Sequence, residues 1–256
     1  MAQAPENFPV ADPGTQQDQL YIRDIEFLNY HINHDKWDWW RKFQISGAHR
    51  FEEDFDTYDT ADWSVINTGA ATEALTDMVN GVMLLTNAAA NNDLCELLLV
   101  AEGFRLYDNY PLYAEIKFKL SLASASDFYF GLIADAQDAG YFAGVDDGVY
   151  FRKDDGDANI DFCTEYNTNI TATDTTEDLA ALTWVRLGFH WDGDGNMRYF
   201  VIRDSDEYIL ATGTQTTNID QAQEMKLGFG MRNGTTTGLL LYVDYVMCVQ
   251  RRYPGP

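Results

Sequence analysis

The chain reads as an all-β protein, an antiparallel β-sandwich preceded by an N-terminal extended and helical arm. Three observations predict this. From Leu112 to Leu122, residues Ala114, Ile116, Phe118, Leu120 and Leu122 fall on one face, and Tyr113, Glu115, Lys117, Lys119 and Ser121 on the other. That is the period of a strand with one dry face and one wet face. From residue 51 onward, short apolar runs recur between Asp-, Asn- and Gly-rich turns with no helical pattern between them, as in a sandwich or barrel. A composition break near Ala48 separates this region from a start with helical spacing and clustered tryptophans.

In order, residues 1–14 hold Pro5, Pro9 and Pro13 and read as extended. Thr15 followed by Asp18 resembles a helix N-cap, and Tyr21, Ile25, Leu28 and Ile32 recur at helical spacing, which predicts a helix from about Gln16 to Asn33. Trp37, Trp39, Trp40 and Phe43 follow. The sandwich is expected over 51–252, leaving 1–50 as the arm and 253–256 as a tail. Its strands are expected at Phe51–Phe55, Asp62–Ile66, Val82–Thr86 and Leu94–Val100, the last two as a hairpin across the Asn/Ala turn. Phe128–Ala134, apolar on both faces, predicts a central strand. Gly148–Arg152 turns at Asp154–Asp157 and returns through Ile160–Phe162. The Thr- and Asp-rich stretch Asn167–Asp178 reads as a loop. Further strands are expected at Trp184–Trp191, Met197–Ile202, Glu207–Ala211, Met225–Met231 and Leu239–Gln250. Phase sets the expected core: Ala114, Ile116, Phe118, Leu120, Phe130, Leu132, Leu187, Phe189, Leu227, Phe229, Val243 and Tyr245.

Charge narrows the partners. The net charge is −24, of which only about −2 falls on residues 1–50. So acidic a surface repels phosphate backbones and anionic lipid heads, which argues against nucleic acid or a membrane as partner. No apolar run is long enough to span a bilayer, and no signal-peptide pattern opens the chain. Cys95, Cys163 and Cys248 are odd in number and lack metal-ligand spacing, so packed, reduced thiols of a protein made in a cytoplasm are expected.

Three stretches carry a resemblance: Phe51-Glu-Glu-Asp-Phe-Asp56 with Asp62-Trp63, Tyr113-Ala-Glu-Ile-Lys-Phe118, and Leu241-Tyr-Val-Asp-Tyr-Val246. Together they resemble the concanavalin A-like (laminin-G-like) jelly roll, a group that includes β-glucanases, legume-lectin-like modules and tailed-phage virion proteins. Gly131-Leu-Ile-Ala-Asp135 and Asp147-Gly-Val-Tyr-Phe-Arg-Lys-Asp-Asp155 look most similar to the phage structural proteins, which decorate heads or form tail appendages. The resemblance implies a structural protein on the outer surface of a virion, synthesised in the host cytoplasm. Capsid or other virion proteins and neighbouring copies of itself would be its partners. Tyr21, Ile25, Leu28, Trp37, Trp39, Trp40 and Phe43 of the arm would be the partner-binding residues; folding back onto its own sandwich is the competing arrangement.

The chemistry to weigh is sparse. A retaining glucanase of this fold needs paired carboxylates on one strand face, as in Glu-x-Asp-x-x-Glu. No such motif is present, since Glu115 is followed on its face by Lys117 and Lys119, so no catalytic residue is assigned and no enzyme is expected. Asp192-Gly-Asp-Gly-Asn196 imitates half of a calcium loop but has Met197 and Arg203 where Gly and Glu are required, which makes it a tight turn. Asp135, Asp138, Asp146, Asp147, Asp154, Asp155 and Asp157 either form a solvated acidic face or jointly hold Ca²⁺, as lectin-like jelly rolls often do. No cofactor or metal site is otherwise indicated. His190 reads as a packed or surface ring. Alternatives to the virion role are a carbohydrate-binding module of a tail or fibre, using exposed aromatics such as Tyr107, Tyr110 or Tyr141, and a divergent glycoside hydrolase.

Overall fold

The structure, a computed structural model, describes residues 48–78, 81–134 and 139–251. Residues 1–47 of the arm, with its expected helix and Tyr21, Ile25, Leu28, Trp37, Trp39, Trp40 and Phe43, lie outside the described residues; Ala48–Arg50, expected as the end of the arm, instead open the first strand of the sandwich. The first strands are β1 (Ala48–Glu53), β2 (Trp63–Asn67), β3 (Thr72–Leu75), β4 (Met83–Thr86) and β5 (Leu94–Leu99). The middle of the chain forms β6 (Leu112–Leu120), β7 (Ser126–Ala134), β8 (Asp147–Lys153), β9 (Asn159–Tyr166) and β10 (Asn169–Asp178). It closes with β11 (Val185–Trp191), β12 (Met197–Arg203), β13 (Tyr208–Gln215), β14 (Lys226–Asn233) and β15 (Leu240–Arg251). One sheet has eight strands in the order β13-β12-β11-β6-β15-β4-β3, with β1 also pairing β15; the other has seven, ordered β10-β9-β8-β7-β14-β5-β2. All pairings between these strands are antiparallel.

The core between the sheets is the one that alternation selects. Ala114, Ile116, Phe118 and Leu120 of β6 face Phe128, Phe130 and Leu132 of β7, all at most 2% exposed. Phe118 and Phe128 stack at 4.2 Å, and Phe162 stacks on Tyr199 at 4.6 Å. Every residue of β7 is buried, as expected of a strand apolar on both faces. Tyr245 is a correction to the expected core. A bulge at Asp244 shifts the β15–β6 register so that Val243 lies opposite Phe118 but Tyr245 opposite Lys117. The extra residue inverts the phase, sending Val246 inward and Tyr245 out.

Three other expectations change. Asn167–Asp178 is largely strand, not loop: Asn167 and Thr168 both have positive φ, the two-residue hairpin geometry that returns β9 as β10. The runs at β4 and β5 are not a hairpin, because β4 pairs β15 and β3 while β5 pairs β14 and β2 in the opposite sheet. The wet face of β6 is only partly wet: Lys117 and Lys119 are half-buried, while Tyr113 and Glu115 are buried. The open sides of the sandwich are tied by side chains. Gln215 and Asn218 donate to Thr173 and Thr171 of β10 at 2.6 and 2.9 Å, and Asn67 of β2 donates to Glu73 of β3 at 3.0 Å.

Candidate functional site

A cavity of about 190 Å³ is lined by His49, Glu102, Gly103, Phe104, Arg105, Tyr107, Glu224, Gln250 and Arg251. Strand pairing builds it. The β1–β15 register sets His49 opposite Gln250, and β15–β6 sets Gln250 opposite Leu112. The Arg105 backbone N–H donates to Gln250 Oε1 at 3.3 Å, and the Gln250 amide donates to the Arg105 carbonyl. A bridge between Phe104 and Met225 brings Glu224 alongside. A Cβ on Gly103 would meet the end of the His49 ring, Nε2 at 2.7 Å, so a side chain there would have to turn that ring aside.

Arg105 is held in place from two sides. Its Nε donates to the Gln221 carbonyl at 2.8 Å, and its guanidinium lies 4.4 Å from the centre of the Tyr107 ring. Tyr107 meets Tyr110 edge-on at 6.2 Å, and Arg251 lies over Tyr110 at 5.8 Å. Behind them Trp191 donates its indole N–H to the Tyr107 carbonyl at 2.9 Å. The result is a small hollow with guanidinium donors, carboxylate and amide acceptors, and the rings of His49, Phe104 and Tyr107, on a strand frame. At roughly 30 Å³ of liquid volume per water it has room for about six waters, enough for one compact, ring-sized polar ligand but not for an extended chain.

The second place to look is the outer face of the seven-stranded sheet. Gly131, Gly148, Gly228 and Gly230 leave its middle without side chains, and tyrosines lie across them. A Cβ on Gly228 would meet the Tyr129 hydroxyl at 2.6 Å, and one on Gly148 the Tyr150 ring at 3.1 Å. Tyr129 donates to Glu96, and Tyr150 donates to Glu165 at 2.7 Å. Over them, the 3₁₀ turn Tyr141–Ala143 stacks Tyr141 on Tyr129 at 4.3 Å, and Tyr141 N–H donates to Glu96 at 2.7 Å. Glu96 and Glu165 are 0% and 5% exposed. Burial lifts Glu165 above the usual carboxylate range, opposed by the Tyr150 hydrogen bond, and pushes the Cys163 thiol up to about 12. Two carboxylates on one face thus exist, but each is buried beneath a tyrosine.

The outer face of the eight-stranded sheet is charged. Lys117 pairs with Asp244 at 2.8 Å and Asp204 at 3.0 Å, and Arg186 pairs with Asp204 at 3.3 Å. Buried Glu115 accepts from the Tyr113 and Tyr245 hydroxyls. Burial raises its pKa, and Arg186 and the two hydroxyls act against that rise.

The structure brings Tyr107 and Tyr110 together and sets Tyr141 apart, over the other sheet face. All three are half-buried, which corrects the expectation of exposed aromatics. The acids proposed for Ca²⁺ do not gather: Asp146 and Asp147 precede and start β8, whereas Asp154, Asp155 and Asp157 follow its far end. Asp135 and Asp138 lie outside the described residues. Among the described residues no group of three or more His, Cys, Asp or Glu side chains can hold a metal ion. Asp192–Asn196 is a turn: Asp192 Oδ1 accepts from the Asp194 and Asn196 backbone N–H groups at 2.7 and 3.1 Å. Sequence reading missed Arg105, Arg251, His49 and Gln250, which share no local motif. The Arg105-x-Tyr107 spacing, an arginine one residue removed from a tyrosine in an irregular segment, was the one available signal.

No protein-family model and no curated protein matches the chain. Solved structures do. A protein of unknown function from Shewanella oneidensis MR-1 is 15% identical, covers 99% of each chain, and superposes with a TM-score of 0.62. Arcelin-5, a lectin-like defence protein from Phaseolus vulgaris, is 12% identical over 81% of this chain and 100% of its own, with a TM-score of 0.57. An endo-1,3-beta-glucanase from Streptomyces sioyaensis is 14% identical over 81% and 98%, with a TM-score of 0.56. At these identities the likeness is one of fold: the described chain is an all-β, two-sheet sandwich with the concanavalin A-like jelly-roll fold that lectins and glucanases share.

Proposed function

We propose that the protein is a non-catalytic glycan-binding module whose ligand site is the Arg105–Tyr107 cavity. One observation carries this reading: a half-buried tyrosine, held by a stacked guanidinium, lines a cavity offering both donors and acceptors. Sugars present apolar C–H faces and hydroxyls at once, so a ring beside amide, carboxylate and guanidinium groups matches their chemistry. The lectin-like and glucanase neighbours fit a carbohydrate ligand. The absence of a Glu-x-Asp-x-x-Glu motif and the burial of Glu96 and Glu165 favour binding over hydrolysis.

The test is a glycan array followed by calorimetry on the hits. Tyr107→Ala is expected to weaken binding at least tenfold while leaving the thermal midpoint within a few degrees, and β-glucans are expected to yield no new reducing ends. Hits that survive Tyr107→Ala unchanged would move the site elsewhere. Turnover lost on replacing a single acid would overturn the non-catalytic reading.

A second reading concerns attachment. Trp37, Trp39 and Trp40 within four residues favour an arm that anchors the protein to a virion surface, as a decoration or minor capsid protein. The two readings are compatible, since a surface protein can carry a glycan site. Deleting residues 1–46 is expected to release the protein from the particle without unfolding the sandwich, measured by co-sedimentation and circular dichroism.

A further inference from the structure

The acid-to-base ratio of this chain makes unpaired arginines informative. It has 41 acids against 17 lysines and arginines, so a surface guanidinium should find a carboxylate. Arg50, Arg152, Arg186, Arg203 and Arg232 each do. Arg105 and Arg251 do not: among the described residues neither has an acid within ion-pair distance, although Glu102 and Glu224 line the same cavity. Both instead lie over tyrosine rings, at 4.4 and 5.8 Å, and those two rings meet edge-on.

This arrangement leaves donors free. The Arg105 contact with the Gln221 carbonyl uses Nε alone, so its two terminal amino groups remain available as a fork. Stacking on Tyr107 and the two Gln250 hydrogen bonds to the Arg105 backbone fix its position, which lowers the entropy lost when a ligand binds. A fork of this kind is matched by a planar carboxylate, with charge-assisted hydrogen bonds about twice as strong as neutral ones. Inside the cavity the two guanidiniums match the two carboxylates of Glu102 and Glu224 in number, and beyond it stands the protein's overall negative field. At physiological ionic strength it is screened beyond about 8 Å, whereas the arginine contacts act at touching distance. Glu102 and Glu224, both exposed, accept hydroxyls of the same ligand, and His49 adds a further polar edge.

We propose that the cavity selects carboxylated sugars, the uronic-acid class, through Arg105 and Arg251. The proposal rests on the glycan-binding reading and narrows it. The experiment compares one oligosaccharide in two forms, trigalacturonic acid and its methyl ester, titrated calorimetrically into the full chain and into Arg105→Gln and Arg251→Gln. The free acid is expected to bind at least tenfold more tightly than the ester, and either substitution is expected to bring the acid down to the ester's affinity. Equal affinity of acid and ester for the wild type overturns the carboxylate preference but leaves glycan binding standing, as does a neutral glycan bound more tightly than either. An acid preference that survives both substitutions assigns it to another site and overturns the proposal. If neither form binds and the glycan array is blank, the glycan reading falls and this inference with it. Near-ultraviolet circular dichroism of each variant checks that the fold is kept; should Arg105→Gln misfold, Arg251→Gln, which removes no side-chain hydrogen bond to the backbone, carries the comparison.

Discussion

On the eight-stranded sheet the outer face is held by charge, whereas on the seven-stranded sheet it is held by rings. The first has Lys117 between Asp204 and Asp244, with Arg186 and Glu115 beside them. The second has Tyr129, Tyr141 and Tyr150 lying over a glycine-lined trough, with Glu96 and Glu165 tied to them. Both faces bury carboxylates, and on both the carboxylates accept tyrosine hydroxyls. The difference lies in what balances the desolvation. A guanidinium field acts at Glu115, whereas Glu165 relies chiefly on one hydroxyl. The buried carboxylates of both faces are tied to tyrosine hydroxyls, and the binding proposal rests on the small cavity elsewhere, not on a sheet face.

Glu115→Ala should break the charged face most severely. It removes one anion from the set around the Arg186 guanidinium and takes away the carboxylate that accepts from the Tyr113 and Tyr245 hydroxyls. Removing one partner from a buried charge set costs about 3–5 kcal/mol, measurable as a fall in the urea midpoint.

The pH dependence distinguishes groups on these faces by sign. Burial lowers His190 from 6.5 to about 4, so between those values the unfolded chain binds more protons. Its contribution is complete above pH 6.5 and is lost as pH falls to about 4, on the order of 3 kcal/mol. Glu115 and Glu165 are shifted upward, so the folded state holds their protons more tightly. Their contribution is complete below the ordinary carboxylate range and is lost as pH rises through the raised values. Comparing wild type with His190→Gln in urea titrations from pH 7 to 4 is expected to show a flatter curve for the variant; parallel curves would remove His190 from the account.

The glycines give the finest comparison. On Gly131 a Cβ would meet backbone, Val149 O and Tyr150 Cα, whereas on Gly188 it would meet the end of the Phe200 ring. Backbone within a paired ladder cannot step aside, but a ring can turn. Gly131→Ala is therefore expected to cost about 1–3 kcal/mol, and Gly188→Ala less, by thermal melts. The reverse order would show that the charged face is the more tightly packed of the two.

Residue-by-residue alternation was enough to place β6, β11 and β14 and their inward sides, because a strand's side chains switch faces at every step and only one phase buries the apolar set; β7 was legible instead as a run apolar on both faces. Tyr245 escaped that logic, since one extra residue at Asp244 reverses phase and leaves no trace in hydrophobicity. β10 escaped for a related reason: an edge strand with little to bury, Asn169-Ile-Thr-Ala-Thr-Asp-Thr-Thr, shows no apolar alternation, and only its pairing with β9 makes it a strand. The tight turn at Asp192–Asn196 was legible because side-chain-to-backbone bonds of Asp and Asn are local. The cavity was not. His49, Arg105, Glu224 and Arg251 come from four distant segments, and what joins them is the closing of β1 and β15 beside β6. Local alternation fixed which way each strand faces; which segments meet is a long-range choice, made where the sheets assemble, and the proposed binding chemistry depends on that choice.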